Sequence, residues 1–223
     1  MTKGIGFRVY TTIKRPPQEL VEQFRGLPSS NIADNMGRLY SIGHQIKPLN
    51  KVPLLGVAVT VKVPQGDNLM FHRALDLAQP GDIIVVDGEG DLEHSLAGEM
   101  MIRYAMKRGI GGFIVDGCMR DYEAIARVNF PVYARGITPQ GPYKNGPGEI
   151  NVPICCGGQV VLPGDILAGD EDGVVVIRPD DAEELAGLSR LKFNQEQEKI
   201  RENSFDKSWV EKSLIQKKVV VYE

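Results

Sequence analysis
Three side chains have the types and spacing for chemistry on an anionic substrate. Glu99 stands in Gly98-Glu99-Met100-Met101, and Arg120-Asp121 closes the run Val115-Asp116-Gly117-Cys118-Met119. Two carboxylates beside a guanidinium suit a hard divalent cation together with an anion. Twenty residues separate Glu99 from Arg120, and what fills the gap decides whether they meet. Leu96 to Arg108 reads as a helix, with apolar Met101, Ala105 and Met106 and no breaker after Gly98. Gly109, Gly111 and Gly112 end it, and Phe113-Ile114-Val115 reads as a short buried strand. A helical stretch of about 11 residues rises roughly 16 Å, and about five strand residues return nearly the same distance. The chain goes out and comes back. Glu99 at the helix start and Arg120-Asp121 past the strand end are therefore expected to meet, where helix amides can also bind an anion. Asp121 equally suits a plain N-cap for a helix beginning at Tyr122. Asp116 adds another acid beside the strand end, and Gly117 allows a close backbone approach.

The flanking elements follow from periodicity and breakers. Helices are expected at Pro17 to Leu27, Ser30 to Met36, Asn68 to Ala78 (with Asp67 as cap) and Tyr122 to Val128. Strands are expected at Gly56 to Val63, Ile83 to Val86 and Pro131 to Arg135. Asp87-Gly88-Glu89-Gly90-Asp91 reads as a solvated turn leading toward the Glu99 helix, and Thr138 to Gly148 as a long ordered loop. The pattern then turns to β: Ile150 to Ile154, Gln159 to Leu162, Asp165 to Ala168 and Val174 to Ile177. A long helix from Pro179 to about Asn203 and a last one over Lys207 to Lys217, carrying Trp209, complete the chain. Alternating helices and strands followed by a run of strands predict an α/β core with an attached β layer. One domain over residues 1–223 is expected, with a core of about 17–178 and a charged helical arm of about 180–217 that can pack on another subunit.

Composition narrows the function. The 223 residues are 42% hydrophobic and 25% charged, with a net charge of -3, so nucleic acid is not an expected partner. No apolar run reaches the roughly 20 residues of a membrane span, and no secretory h-region opens the chain. A cytoplasmic protein is expected. Cys118, Cys155 and Cys156 are odd in number and lack C-x-x-C, which argues against a disulfide framework or zinc site. Cys155 and Cys156 are expected on opposite strand faces. Cys118 reads as a small packed residue, although nearby Arg120 can lower a thiol pKa. Of the three histidines, His94 is the one expected near the site, while His44 and His72 read as structural or surface residues. Gly88-x-Gly90 lacks the third glycine of a dinucleotide fingerprint, and neither a Walker loop, an EF-hand spacing nor G-x-S-x-G is present. No lysine stands in an apolar strand as a Schiff-base former.

The span from about Asp67 to Ile177 resembles the RraA-like proteins, which include class II pyruvate aldolases. The matching signature is an acid, twenty residues, then Arg-Asp. It is accompanied by Gly109-x-x-Gly112-x-x-x-Asp116-Gly117, Phe130-Pro131-Val132-Tyr133-Ala134-Arg135-Gly136, Gly146-Pro147-Gly148-Glu149 and Asp172-Gly173-Val174-Val175. The resemblance implies a layered α/β/β sandwich of the swivelling type, assembled as a homotrimer or dimer of trimers with sites between subunits. It implies cleavage of a 4-hydroxy-2-oxo acid, such as 4-hydroxy-4-methyl-2-oxoglutarate, with oxaloacetate decarboxylation as a side activity. Asp121 would ligate Mg²⁺ or Mn²⁺, and Arg120 would hold the ketone oxygen and stabilise the enolate. The Met100 and Met101 amides beside Gly98 would bind the pyruvyl carboxylate. Glu99 would orient a water on the metal, and Glu198 (or Glu196) of a neighbouring subunit would order further waters. Characterised aldolases of this family usually carry Asp where this chain has Glu99. Two alternatives stand beside the aldolase. One is a non-catalytic protein-binding regulator, known from another branch whose members can lack the Asp after the Arg; the other is a dedicated oxaloacetate decarboxylase.

Overall fold
A computed structural model gives the fold of residues 4–222. Ten strands and seven α-helices are formed among these residues: α1 (Gln18–Glu22), α2 (Ser29–Asn35), β1 (Lys47–Pro48), β2 (Leu54–Lys62), α3 (Leu69–Leu77), β3 (Asp82–Ala97), α4 (Glu99–Lys107), β4 (Gly112–Met119), α5 (Tyr122–Arg127), β5 (Val132–Ile137), β6 (Glu149–Ile150), β7 (Ile154–Cys156), β8 (Gln159–Val161), β9 (Ile166–Asp170), β10 (Gly173–Ile177), α6 (Ala182–Arg201) and α7 (Ser208–Gln216).

The main sheet runs β1-β5-β4-β3-β2-β9-β10, with β6 also paired to β2. Strands β2, β3, β4 and β5 are parallel neighbours; β1, β6, β9 and β10 join antiparallel. Through their central residues the four parallel strands are buried on both faces and alternate between two cores. Val59, Val61, Ile84, Val86, Phe113, Val115, Val132 and Ala134 point to one face, where α3, α4 and α5 contribute Phe71, Ala74, Ile102, Ala105 and Ile125. Ala58, Ile83, Val85, Ile114 and Tyr133 point to the other, covered by the β7–β8 hairpin through Ile154, Cys156 and Val161. Helices, sheet and hairpin are the expected α/β/β layers. A third core lies beneath α1, α2 and the first half of α6, against β9 and β10.

Several boundaries differ from the sequence expectation, each for a local reason. The helix expected from Leu96 begins at Glu99, because Leu96 and Ala97 complete β3 and the Ala97 carbonyl accepts the Arg120 amide at 3.0 Å. The first helix spans only Gln18–Glu22. The acidic stretch 87–91 is not a solvated turn. It lies inside β3, which pairs with β4 through register shifts between Asp87 and Asp91, Asp91 and Ser95, and Ser95 and Ala97. Its carboxylates serve the bulged backbone and its neighbours: Asp87 accepts from Glu89 N and from Lys62 Nζ, both at 3.2 Å, and Asp91 accepts from Glu93 N at 2.8 Å. The helical arm also divides. Ala182, Leu185 and Ala186 pack on the chain's own α1 and α2 core, whereas α7 buries no residue.

Phe113 is the centre of the helix-side core, fully buried between Phe71 and Phe130 with ring centroids 5.0 and 4.9 Å apart in edge-to-face pairs. Phe113→Ala is expected to cost about 3–5 kcal/mol in urea unfolding. A loss below about 1 kcal/mol would show that this core refills the space.

Candidate functional site
The two ends of the chain path meet as predicted, but through the Glu99 backbone amide; the Glu99 carboxylate turns away to Arg103 and does not join Arg120 and Asp121 in one cleft. Strand β4 ends at Met119, Arg120 follows, and Asp121 occupies the left-handed region at φ 64, ψ 46. Few residues other than glycine adopt this conformation, and Asp is among the tolerated ones, at a cost of about 1 kcal/mol. Asp121 is the N-terminal boundary of α5, yet its side chain makes no capping bond there. The carboxylate turns instead to the neighbouring helix: Oδ2 accepts the Glu99 amide at 2.9 Å and lies 3.9 Å from Arg120 Nε. One acid thus ties the end of β4 to the start of α4. Gly98 makes this possible, since a Cβ there would sit 2.4 Å from Asp121 Oδ2 and 2.8 Å from Arg120 Cγ.

The Asp121 bond satisfies only the first amide of α4. The backbone ladder begins with Ile102 donating to the Gly98 carbonyl at 3.2 Å, leaving the Met100 and Met101 amides without a backbone partner among the described residues. These amides stand at the positive end of the helix dipole, beside the Arg120 guanidinium. They open on a cleft of about 190 Å³ lined by Asn68, His72, Ala97, Gly98, Met100, Met101, Arg120, Asp121, Pro142 and Lys144. Asp121 is its single lining carboxylate. Arg120 and Lys144 are its cations, so an anion fits.

Glu99 lies on the other side of Asp121. Its carboxylate pairs with Arg103, one turn along α4, at 2.5 Å, and lines a neighbouring groove with Asp121, Tyr122 and Arg127. Glu198 sits on the exposed part of α6, 3.6 Å from Arg201, and Glu196 accepts from Asn31 Nδ2 at 2.6 Å. Neither lines the cleft of its own chain.

Other acids and histidines fall differently from expectation. Asp116 is buried away from the cleft, paired with Arg135 and accepting the Gly157 amide at 2.6 Å. His94 hydrogen-bonds Asp91 at 2.9 Å and packs on Tyr143, beneath the 138–148 loop. It is His72 that lines the cleft. Burial lowers the His72 pKa and the Lys144 charge adds to the effect, opposed by Asp76, so the neutral ring is favoured. His72 lies one helical turn after Asn68 on the same face, but with Asn68 itself not marked by the sequence that spacing gave no signal. Lys144 carried none either, because a Pro- and Gly-rich loop delivers it.

Among the described residues no group of three or more His, Cys, Asp or Glu could hold a metal ion, so this chain alone forms no closed cage. The donor chemistry still fits a hydrated divalent cation. Mg²⁺ commonly keeps several waters and binds through one or two carboxylates plus substrate oxygens. The Asp121 carboxylate is 44% exposed and only its Oδ2 is engaged with the Glu99 amide. No helix among the described residues is long and apolar enough to cross a membrane.

Comparison with known proteins adds to this geometry. The RraA-like family model, described as Aldolase/RraA, matches residues 29–176. A Halalkalibacterium halodurans protein named "Putative 4-hydroxy-4-methyl-2-oxoglutarate aldolase" is 41% identical over 187 residues, 83% of this chain and 88% of that one. Among solved structures, Streptomyces coelicolor RraAS2, described as an unusual member of the RNase ES inhibitor RraA family, is 28% identical. Its TM-score is 0.73, over 85% of this chain and 100% of that one. The RNA-processing inhibitor RraA from Thermus thermophilis is 29% identical, with a TM-score of 0.62 over 67% of this chain and 91% of that one.

The cysteines are not nucleophiles of the cleft. Cys118 is buried, and its thiol pKa is raised by burial and then by the Asp91 and Glu93 charges, against the lowering that Arg120 suggested. Burial also pushes the Cys156 thiol up, while Cys155, on the opposite strand face, is exposed. Titration with a thiol reagent is expected to show one fast thiol in the native protein and three after unfolding. A second fast native thiol would place Cys118 or Cys156 within reach of solvent.

Proposed function
The chain belongs to the RraA-like family, and we propose that it is a divalent-metal-dependent lyase that cleaves a 4-hydroxy-2-oxo acid to pyruvate and a second carbonyl compound. The observation that carries this reading is the convergence of Arg120, Asp121 and the unpaired Met100 and Met101 amides in one cleft. A relative named as a 4-hydroxy-4-methyl-2-oxoglutarate aldolase supports it.

The roles follow from charge. The substrate carboxylate sits on the Met100 and Met101 amides, where Gly98 leaves room for it. Arg120 faces the 2-keto oxygen. As the 4-hydroxyl gives up its proton, the C3–C4 bonding pair moves to C3 and the C4–O bond becomes a carbonyl. The electrons spread from C3 onto the 2-oxygen, where Arg120 offers fixed positive charge. A proton then returns to C3 to give the pyruvate methyl group. We assign both proton transfers to Glu99 acting through water, from its place beside Asp121. Asp121 would hold Mg²⁺ or Mn²⁺, which when bound supplies a Lewis acid for the developing enolate. Oxaloacetate passes through the same enolate on losing CO₂, so its decarboxylation belongs to the same reading. Glu198 or Glu196 would act only from a neighbouring copy, in a homotrimer or a dimer of trimers.

A second reading is a protein-binding regulator, favoured by solved structures described as RNA-processing inhibitors. Turnover separates the two. Pyruvate release from 4-hydroxy-4-methyl-2-oxoglutarate is expected with Mg²⁺ and lost with EDTA. Asp121→Ala and Arg120→Ala are each expected to lower kcat/KM by at least about 100-fold, in the range seen on removing one stabilising donor. Wild-type rates in both variants would overturn the site. Release from oxaloacetate alone would leave a decarboxylase, and release from neither would favour the regulator. Gly98→Ala, which displaces the Asp121 carboxylate by contact, is expected to lose activity comparably while its Tm falls by only a few degrees. Full activity would show that the Asp121–Glu99 bond is dispensable.

A further inference from the structure
The 138–148 loop brings Pro142 and Lys144 to the cleft, and with three Pro and three Gly it forms no helix or strand of its own. Its shape therefore depends on what grips it. Near its start the Gln140 carbonyl accepts both the amide and the hydroxyl of Ser95 at 2.8 Å. In its second half, Asp67 Oδ2 accepts the amides of Asn145 at 2.6 Å and Gly146 at 2.9 Å, while Oδ1 accepts Leu69 N at 2.9 Å. Asp67 is buried, and these bonds fasten the residues after Lys144 to the first turn of α3. The exit of the loop is gripped by a segment that lies outside the family match of 29–176.

That segment is residues 4–10. Gly6 occupies the left-handed region at φ 83, open to glycine at little cost, and there both of its backbone groups bond the loop exit. Its carbonyl accepts the Gly148 amide at 2.6 Å, and its amide donates to Glu149 Oε1 at 2.9 Å. Ile150 N donates to the Arg8 carbonyl at 3.0 Å, and Tyr10 N to the Ile150 carbonyl at 3.2 Å. Phe7 sits on Gly146, where a Cβ would stand 2.7 Å from Phe7 Cε1. One ion pair closes the arrangement: Arg8 meets Glu149 as a fork, Nε to Oε1 at 2.6 Å and Nη2 to Oε2 at 2.9 Å. Glu149 is buried on β6, one residue before the fully buried Ile150, so one end of the pair is anchored in the core. Ile5, Phe7 and Tyr10 are by contrast half or more exposed. With so little burial, residues 4–10 are held mainly by hydrogen bonds and this pair, as in elements that open locally.

We infer that Arg8 and Glu149 are positioning residues: their pair holds residues 4–10 on the exit of the 138–148 loop and so keeps the second wall of the cleft in place. Neither side chain lines the cleft. Their effect travels along the backbone, from Gly148 through Gly146 and Asn145 to Lys144. The Asp67 clamp and the N-terminal segment act on the same short stretch of chain, so releasing one loosens the geometry that the other requires. The brace itself does not depend on the lyase reading; only its effect on turnover does.

Hydrogen exchange resolved to single amides tests the brace in the full chain. Arg8→Ala is expected to speed exchange at Gly148 and Ile150, which bond residues 4–10 directly. The decisive amides are Asn145 and Gly146, which bond Asp67 instead. These are expected to exchange about tenfold faster or more, the scale of losing a hydrogen bond to a charged group. Glu149→Gln is expected to act alike, and Arg8→Lys, which keeps the charge but not the fork, to fall between. Arg25→Ala breaks an exposed pair with Glu22 beside α1 and is expected to leave these amides unchanged. Faster exchange at Gly148 and Ile150 alone would overturn the inference, as would no change at all. Steady-state rates supply the second arm. On 4-hydroxy-4-methyl-2-oxoglutarate, Arg8→Ala is expected to raise KM about tenfold with kcat within about twofold, because the wall serves binding. An unchanged KM in a protein whose loop has loosened would overturn the positioning role. A protein that cleaves nothing, yet whose Asn145 and Gly146 amides are loosened by Arg8→Ala, would uphold the brace and remove only the lyase reading.

Discussion
The site depends on one hydrogen bond, from the Glu99 amide to the Asp121 carboxylate. It joins two secondary structures where neither can move freely. Glu99 opens α4, and Asp121 follows a strand whose residues are all buried. The bond places a negative charge at the positive end of a helix, which favours it, and demands a left-handed backbone at Asp121, which does not. Gly98 removes the steric obstacle, because any side chain there would occupy the same space as the carboxylate. Arg120 is carried along by chain connectivity, and the next two amides of α4 remain open.

The sheet supplies the rigidity this bond needs. Its parallel strands alternate between two cores, so each is gripped from both sides. Their carboxyl ends converge on one rim, the usual location of ligand sites in such sheets. Strand β3 reaches that rim only by bulging three times beside β4. Each bulge frees backbone groups, and the acids of the segment recapture amides at Glu89 and Glu93. Asp116 has a similar role on the hairpin side, where it bridges Arg135 and the Gly157 amide. The acidic content of this region therefore serves mainly the fold. Asp121 is distinguished from it by exposure as well as by position.

The out-and-back path from Glu99 to Asp121 is legible in the sequence because two periodicities, one helical and one extended, meet at a glycine cluster. The layered architecture is legible for the same reason. The acidic stretch 87–91 reads wrongly as a turn because Asp and Gly mark exposed turns and bulged strands alike; only the pairing with β4 tells them apart. The roles expected of His72 and His94 are exchanged in the fold. Distance along the chain from Glu99 is a poor guide when β3 runs on for 16 residues. Lys144 has no place that the sequence alone can assign. Its position depends on Asp67, whose carboxylate bonds the amide of the following residue, Asn145, across 78 residues of chain. Asp121 reads from sequence as either a cap or a ligand. It caps the helix that precedes its strand and leaves the one that follows uncapped by any side chain.

The chemical identity of Asp121 carries a final argument. A left-handed backbone is satisfied most easily by glycine and next by asparagine. A helix amide is capped about equally well by asparagine, serine or aspartate. Both structural demands at this position would therefore be met by an asparagine, with no charge to desolvate. What an asparagine would lack is a full negative charge and a second anionic oxygen directed at open space beside Arg120. The fold can account for the conformation of Asp121 and for its bond to Glu99. The α4 dipole and the neighbouring Arg120 favour its charge, and the proposed cation-assisted reaction would use the carboxylate oxygen that the Glu99 bond leaves over.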